Sequence, residues 1–215
     1  MAHIHLPDGS FTLLWVLVWW ICALTLIGAA IRLAKKGGLD GRKITVSAFV
    51  TAAAFAVFLV EVPLFGGVHL NLTPLIGILV GPVLGSLVVF IVNILSAATG
   101  HGGWGLIGAN ILVNFSEVMI AWLTFRGLKQ VTGNLFSRAG IATFAGLFAG
   151  NLVLVAILLI SGIQGVSQPL PQVLAGLSLI MAVNMATAIL EAFLTGFMVE
   201  YIRRVRPGLL NGGRP

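Results

Sequence analysis

Residues 72–98 read LTPLIGILVGPVLGSLVVFIVNILSAA, an apolar run that is interrupted near its middle by Gly81-Pro82. A run of this length is enough for one transmembrane helix, which needs about 20 apolar residues. A proline inside a helix removes a backbone hydrogen bond and clashes with the preceding turn, so the helix must kink or break there. The fold therefore depends on whether this run crosses a membrane once, twice or not at all.

The composition predicts an integral membrane protein. The chain has 215 residues, of which 59% are hydrophobic and 8% are charged, and its mean hydropathy is +1.09. No soluble domain of this size covers so much apolar surface with so few charges. Near-continuous apolar stretches favour helices over a β-barrel. The net charge of +6 suggests a nucleic-acid partner, but the basic residues flank the apolar stretches, where they suit a topology signal and membrane lipid headgroups. We therefore expect no nucleic-acid partner.

The remaining spans follow from the apolar stretches on either side of this run. We also expect Asp8 or Ser10 to cap the first helix. The predicted spans lie at about residues 10–33, 44–65, 106–126, 139–161 and 174–202.

The basic residues fix the expected topology. All 12 Lys and Arg residues lie in the 32–43 loop, the 126–138 loop or the C-terminal tail, and the positive-inside bias makes these cytoplasmic. One span precedes the first cluster, so we expect the N-terminus outside and the C-terminus in the cytoplasm. Parity then requires residues 72–98 to cross twice or not at all. We favour two short half-helices, with a re-entrant hairpin as the alternative, and predict an all-α membrane fold of about seven transmembrane helices.

All 4 histidines, His3, His5, His69 and His101, fall on the expected outer side, where no lysine or arginine does. Uncharged imidazoles on a side that carries no lysine or arginine suit the capture of a metal cation. His69 is the best-placed ligand to complete a site with the N-terminal segment. We interpret His5 as a residue that orders this segment or lies beside the ligands, and His101 as a polar loop residue.

The chain opens with Met-Ala-His-Ile-His-Leu-Pro-Asp-Gly. A primary amine, backbone amide nitrogens and the Nδ1 of a nearby histidine can close chelate rings around one ion. Such an all-nitrogen set favours Ni2+ or Cu2+, with Co2+ weaker. Amide nitrogen must lose its proton to bind, so metal binding should weaken at acid pH. The alternative interpretation is a frayed terminus with solvated histidines.

Three acids fall near or within the predicted spans, namely Glu61, Glu117 and Glu191. Carboxylates in membranes are functional candidates by default. A proton relay is one interpretation, but the acids are scattered along the chain. We favour structural hydrogen-bond networks, including support of the N-terminal segment through Asn110 or Glu61.

Two further features concern partners. Ala52 and Ala56 form a pair of small residues, which lets another helix approach closely, either within the protein or from a partner. The sequence has no P-loop and no glycine-rich nucleotide fingerprint. Any energy from ATP must then be supplied by another chain.

Several motifs together resemble one known family, the cobalt/nickel substrate-capture (S) subunits of energy-coupling-factor transporters, CbiM/NikM. The resemblance covers nearly the whole chain. It is carried by residues 3–9 (HIHLPDG), 68–73 (VHLNLT), 79–82 (LVGP) and 105–110 (GLIGAN), and by Asn184 through Glu191 to Thr195-Gly196 and Arg206-Pro207.

The resemblance implies a seven-helix subunit without its own ATPase, in a prokaryotic inner (plasma) membrane, whose outer N-terminal segment inserts into the bundle. It divides the chain into a metal-binding segment at residues 1–9, a transmembrane domain at 10–206 and a tail at 207–215. The implied cargo is Ni2+, with Co2+ as the alternative. The implied partners are a transmembrane coupling (T) subunit, which contacts the Ala52 and Ala56 face, and two ATPase subunits, with or without a small accessory membrane subunit.

The resemblance also implies the ligands, which map onto Met1, Ala2, His3 and His69. In the family a histidine directly follows the initiator methionine, whereas here Ala2 intervenes. If Met1 is removed, Ala2 supplies the amine, His3 supplies amide and imidazole, and His69 supplies the fourth nitrogen. If Met1 stays, residues 1–3 alone supply all four nitrogens of the square plane that the family forms around the metal, and His69 is axial or dispensable. Two other functions stay open, a self-sufficient proton-coupled metal transporter and an S subunit for an organic micronutrient.

Overall fold

A computed structural model describes residues 8–38, 41–59, 61–62, 68–100, 102–166 and 168–210, with only the backbone at 61–62 and 68–69. Two short strands, β1 (Glu61–Val62) and β2 (Val68–His69), pair between the second and third helices. Short 3-10 turns lie at Trp104–Leu106, Leu128–Gln130 and Pro207–Leu209. The helices are α1 (Leu13–Lys36), α2 (Gly41–Phe58), α3 (Thr73–Ala98), α4 (Ile107–Gly127), α5 (Leu135–Ser161) and α6 (Leu170–Val205).

The fold is all-α, and 6 helices of the described residues are long and apolar enough to cross a membrane. This confirms the predicted fold class, although the described ranges contain six such helices rather than about seven. The region 72–98 holds two helical arms, as predicted, and these arms meet at the non-helical residue Gly81 and are together named α3. The arm before the bend, residues 73–80, is about 12 Å long, which is too short to cross about 30 Å of hydrocarbon.

The bend in α3 lies at Gly81, which has φ 74° and ψ 178°. This conformation is open almost only to glycine. Gly77 and Gly85 would lie about 12 Å apart along a straight helix. Yet a Cβ on either glycine would press against Val118 of α4, so the two arms converge on one residue. The predicted break at Gly81-Pro82 is confirmed.

The first and third basic clusters lie together at the end of the bundle where α3 bends. Arg42, at the start of α2, and Arg206, after α6, line the same cavity as Leu79. Leu79 precedes the bend by two residues. The chain therefore brings its C-terminal basic residues beside the loop that joins α1 to α2.

The second basic cluster lies at this end as well. A Cβ on Gly81 would be 3.5 Å from Nε1 of Trp122, and the guanidinium of Arg126 lies 4.6 Å from the Trp122 ring centroid. Arg138 of α5 donates from Nη2 to the backbone oxygen of Phe125 at 2.9 Å. All three clusters thus share one end, as their common assignment required; which membrane face this end meets stays a prediction.

The first described residues are fixed at the opposite end. The carboxylate of Asp8 accepts a hydrogen bond from the backbone N–H of Gly105 at 2.9 Å. The N–H of Gln164 donates to the backbone oxygen of Ser10 at 2.8 Å. The N-cap residue of α1 is Thr12, and not the predicted Asp8 or Ser10, and the side chain of Thr12 makes no capping hydrogen bond. Asp8 joins two parts of the chain instead.

Helix α4 lies at the centre, packed against α1, α3 and α5. Small residues make these contacts close, since a Cβ on Gly108 would meet the backbone of Trp19 and Trp20, and one on Gly146 would meet Ala121. Lipid provides no hydrophobic force between helices, so such close contacts provide much of the association energy.

Gly81→Ala is expected to destabilise the protein by about 1–3 kcal/mol, because alanine adopts this backbone conformation only with strain. The apparent Tm of the monodisperse protein in detergent measures this. Gly176→Ala is the control, since Gly176 lies within α6 and nothing lies within 4 Å of its Cβ position. A Tm for Gly81→Ala equal to that of the control would contradict the prediction.

Candidate functional site

The predicted ligands are described only in part. Met1, Ala2, His3 and His5 lie outside the described residues, and so does His101. His69 lies in β2, where the backbone alone is described. The ligand set therefore stays a prediction. Among the described residues no group of three His, Cys, Asp or Glu side chains could hold a metal ion.

His69 lies in a two-stranded hairpin rather than in a plain loop. β1 and β2 are antiparallel, with Glu61 opposite His69 in the register. Glu61 was predicted near the outer end of a span reaching residue 65, but α2 ends at Phe58. Val62 precedes Pro63 in the sequence and lies in β1, as expected because the residue before a proline avoids the helical conformation.

Two residues beyond His69, Asn71 is held from two sides by buried carboxylates. Its side-chain Nδ2 donates to Oε2 of Glu117 in α4 at 2.8 Å. Its backbone N–H donates to Oε1 of Glu191 in α6 at 3.2 Å. Thr73 Oγ1 lies 2.5 Å from the same Glu117 oxygen and donates to it. The backbone that follows β2 is thereby tied to two different helices.

The helices place these carboxylates through regular spacing. Polar residues at intervals of three and four share one face of a helix, so α4 and α6 each turn a polar stripe inward. The members, all buried, are Asn110, Asn114 and Glu117 in α4 and Thr187, Glu191 and Thr195 in α6. In a membrane such residues usually face the bundle interior, as they do here.

Each carboxylate keeps one oxygen without a partner. Glu117 is 0% exposed and Glu191 is 2% exposed. Within the described residues, Glu117 Oε1 and Glu191 Oε2 accept no hydrogen bond. Neither acid forms an ion pair there, since Glu200 is the acid in each ion pair of the described residues. A buried charge is costly unless it is paired. Among the described residues, one acceptor oxygen of each acid therefore stays unused.

The predicted hydrogen-bond network is confirmed for Glu117 and Glu191, whereas the alternative of a proton relay stays a prediction. Their shared partner, Asn71, was missed. The available signal was a polar residue at the start of an apolar run, directly after a candidate ligand. Support of the N-terminal segment through Glu61 or Asn110 stays a prediction.

The alanine-rich part of α2 has an outward face. Ala52 and Ala56 are exposed, whereas Ala54 is buried against α3 residues such as Ile76. The pair of small residues is thus free of internal packing, as a surface for another helix in lipid would be.

Comparisons with known proteins cover nearly the whole chain. A family model described as CbiM, cobalt uptake substrate-specific transmembrane region, matches residues 5–209. The chain is 26% identical to the cobalt transport protein CbiM of Geobacter sulfurreducens, over 97% of this chain and 62% of that relative. It is 28% identical to the putative cobalt transport protein CbiM 1 of Methanocorpusculum labreanum, over 96% of this chain and 91% of the relative. The chain thus spans less than two thirds of the Geobacter relative.

The fold matches solved structures. One, described as a transition metal transporter, superposes with a TM-score of 0.80 at 21% identity, covering 94% of this chain and 93% of that chain. A truncated transition metal transporter gives 0.80 at 20% identity, with 94% and 99% coverage. At these identities the likeness establishes a shared fold.

Gly150→Ala is expected to lower stability by about 1–3 kcal/mol through overpacking. A Cβ at this position of α5 would lie 2.5 Å from Cγ and Oε1 of Glu117, so the carboxylate would have to shift. Apparent Tm in detergent is the measurement. Gly28→Ala is the control, because nothing lies within 4 Å of a Cβ there. An unchanged Tm for Gly150→Ala would show that Glu117 is not confined by α5.

Proposed function

Because the chain belongs to the CbiM family of cobalt uptake substrate-specific transmembrane regions, we propose that it captures a divalent metal ion outside the cell for an ATP-driven energy-coupling-factor transporter. It is a multi-pass integral protein of a prokaryotic cell membrane. The cargo is Co2+ or Ni2+. The names of the relatives support Co2+. Nitrogen donors support Ni2+, which they generally bind more tightly than Co2+.

The anchoring of Asn71 carries this proposal. A non-helical segment inside a membrane bundle is tolerated where protein surrounds it, and such segments form substrate sites in membrane transporters. The hydrogen bonds of Asn71 to α4 and α6 hold such a segment two residues from His69. The backbone of His69 is thereby held close to a segment that is attached to the bundle interior.

The N-terminal segment can reach this level. Asp8 is tied to Gly105, and the 12 residues from there to Glu117 correspond to about 18 Å of helix. The seven residues before Asp8 span up to about 23 Å when extended. We propose that the amine of Met1 or Ala2, the amide and imidazole of His3 and the imidazole of His69 meet around the ion. The proposal includes both ligand sets, the one with Met1 removed and the one with Met1 retained.

Other chains supply the energy in this proposal. A T subunit packs on the exposed Ala52 and Ala56 face of α2 and couples the protein to two ATPase subunits, with or without a small accessory membrane subunit. The exposure of these alanines supports such a contact, because small residues let helices approach closely in lipid.

The buried pair Glu117 and Glu191 favours a second candidate, a self-sufficient proton-coupled metal transporter, since intramembrane acids often form proton relays. Liposomes that contain only this chain separate the two. Ni2+ or Co2+ uptake driven by a pH gradient would support the second candidate. Uptake only after the T and ATPase subunits and ATP are added would support the first.

His3→Ala is expected to abolish high-affinity Ni2+ binding, because it removes the imidazole and breaks the chelate rings. Extra residues placed before Met1 should do the same by removing the amine from its position. Isothermal titration of protein with an untouched N-terminus measures both. His101→Ala is the control and should bind like the wild type. Unchanged affinity in both His3→Ala and the extended chain would refute the capture site.

His69→Ala is expected to weaken Ni2+ binding strongly if Met1 has been removed, because His69 is then the fourth nitrogen. If Met1 is retained, three residues fill the plane and the loss should be small. Mass spectrometry of the intact chain decides which case applies. A small loss in a chain that lacks Met1, or a large loss in one that retains it, would contradict the assigned ligands.

Capture from outside requires the basic end to face the cytoplasm. In a Cys22→Ser background, Val166→Cys should react with an impermeant maleimide on intact cells, and Val131→Cys only after lysis. Both residues are exposed, at 48% and 77%. Cys22→Ser alone controls for background labelling. The reverse labelling pattern would overturn the orientation.

A further inference from the structure

We propose that Glu117 and Glu191 form the anionic floor of the capture site: they fix the His69 segment through Asn71, and their free oxygens draw the captured cation to it. This inference rests on the proposed function. It assigns a role to two buried acids that the ligand set itself leaves unused.

Asn71 is hydrogen-bonded to two helices at once. Its two donors, one from the side chain and one from the backbone, are taken by carboxylates on different helices. Thr73 adds a third donor on the same Glu117 oxygen. The segment cannot shift relative to α4 or α6 without losing these hydrogen bonds. His69, two residues away in the chain, therefore has its backbone held at one depth.

Both groups that accept hydrogen bonds from Asn71 are carboxylates. An amide oxygen would accept the same hydrogen bonds without placing an acid where burial penalises charge. Two acids here, with no ion pair among the described residues, point to a use for negative charge. Among the described residues Glu117 Oε1, which faces Gly150 of α5, and Glu191 Oε2 have no hydrogen-bond partner, so no donor compensates a charge on them there. Carboxylates around metal-bound histidines serve this purpose in many proteins, and their loss typically lowers metal affinity 10–100-fold.

The link between Glu117 and Glu191 does not offer a path for protons. Among the described residues, the hydrogen-bonded link between these two acids is Asn71. An amide N–H donates a hydrogen bond but does not release its proton to a carboxylate. In the described residues the link between Glu117 and Glu191 is therefore a clamp rather than a proton path.

The test compares the removal of charge with the removal of the clamp. Glu117→Gln with Glu191→Gln keeps an acceptor oxygen at each position and removes both charges. We expect a Ni2+ affinity about 10–100-fold lower, with the apparent Tm of the metal-free protein unchanged or higher. A purely structural role predicts a lower Tm instead. Wild-type affinity in this double variant, or loss of Tm and affinity together, would overturn the anionic floor.

Asn71→Ala frees the segment and leaves the carboxylates in place. The visible absorption of bound Ni2+ or Cu2+ reports the ligand plane, so its band should move toward that of His69→Ala. Added to His69→Ala, the Asn71 change should have little further effect, because both act through one ligand and their effects are not additive. A band that stays at the wild-type position, or fully additive losses, would overturn the clamp.

Asn184→Leu is the matched control. It breaks a half-buried hydrogen bond of 2.7 Å to Asn151, which is separate from the hydrogen bonds that Asn71 makes to Glu117 and Glu191. Its Tm should fall, while metal affinity and absorption stay at wild-type values; a matching loss of affinity would reduce the Asn71 effect to general instability.

Failure of this inference is distinct from failure of the proposed function. If His3→Ala abolishes binding but His69→Ala changes neither affinity nor absorption, the capture site stands without His69 and this inference fails. If neither histidine matters, both fail.

Discussion

The hydrogen bonds from Asn71 to Glu117 and Glu191 hold non-helical backbone inside a bundle of membrane-spanning helices. Hydrocarbon offers no partner for a free backbone N–H, so such a segment persists only where protein supplies the acceptor. Here Glu191 of α6 accepts a hydrogen bond from the backbone N–H of Asn71, and Glu117 of α4 accepts one from the side-chain amide of Asn71. The hairpin before Asn71 and the short first arm of α3 both depend on this attachment.

The same constraint explains the glycines of the bundle. Gly77 and Gly85 let both arms of α3 reach Val118, and Gly150 leaves room for the carboxylate of Glu117. Without a hydrophobic force between helices in lipid, close packing and internal hydrogen bonds must hold the bundle. Small residues therefore lie where backbone or a buried acid needs space. Helix α4 carries both residues that these glycines accommodate, Val118 against α3 and Glu117 against α5.

The sequence predicted the membrane class, the bounds of most helices and the break at Gly81-Pro82, because composition and proline chemistry act locally. It did not predict the early end of α2 at Phe58, after which β1 lies inside the expected span. Nor did it identify Asn71, whose partners lie 46 and 120 residues away. Asp8 was assigned to a helix cap for the same reason, since only the fold brings Gly105 to its carboxylate. Contacts between distant residues leave no period in the sequence.

Helix α4 sets the relative depth of the two segments that carry the proposed ligands. The N-terminal segment is tied through Asp8 to Gly105, just before α4 begins, and the His69 segment is tied through Asn71 to Glu117 within it. Because both attachments lie on one nearly continuous stretch of helix, their separation of about 18 Å is fixed by helical rise rather than by loop conformation. The two segments that carry the proposed ligands thus obtain the relative position of their attachment points from the one rigid element that touches both.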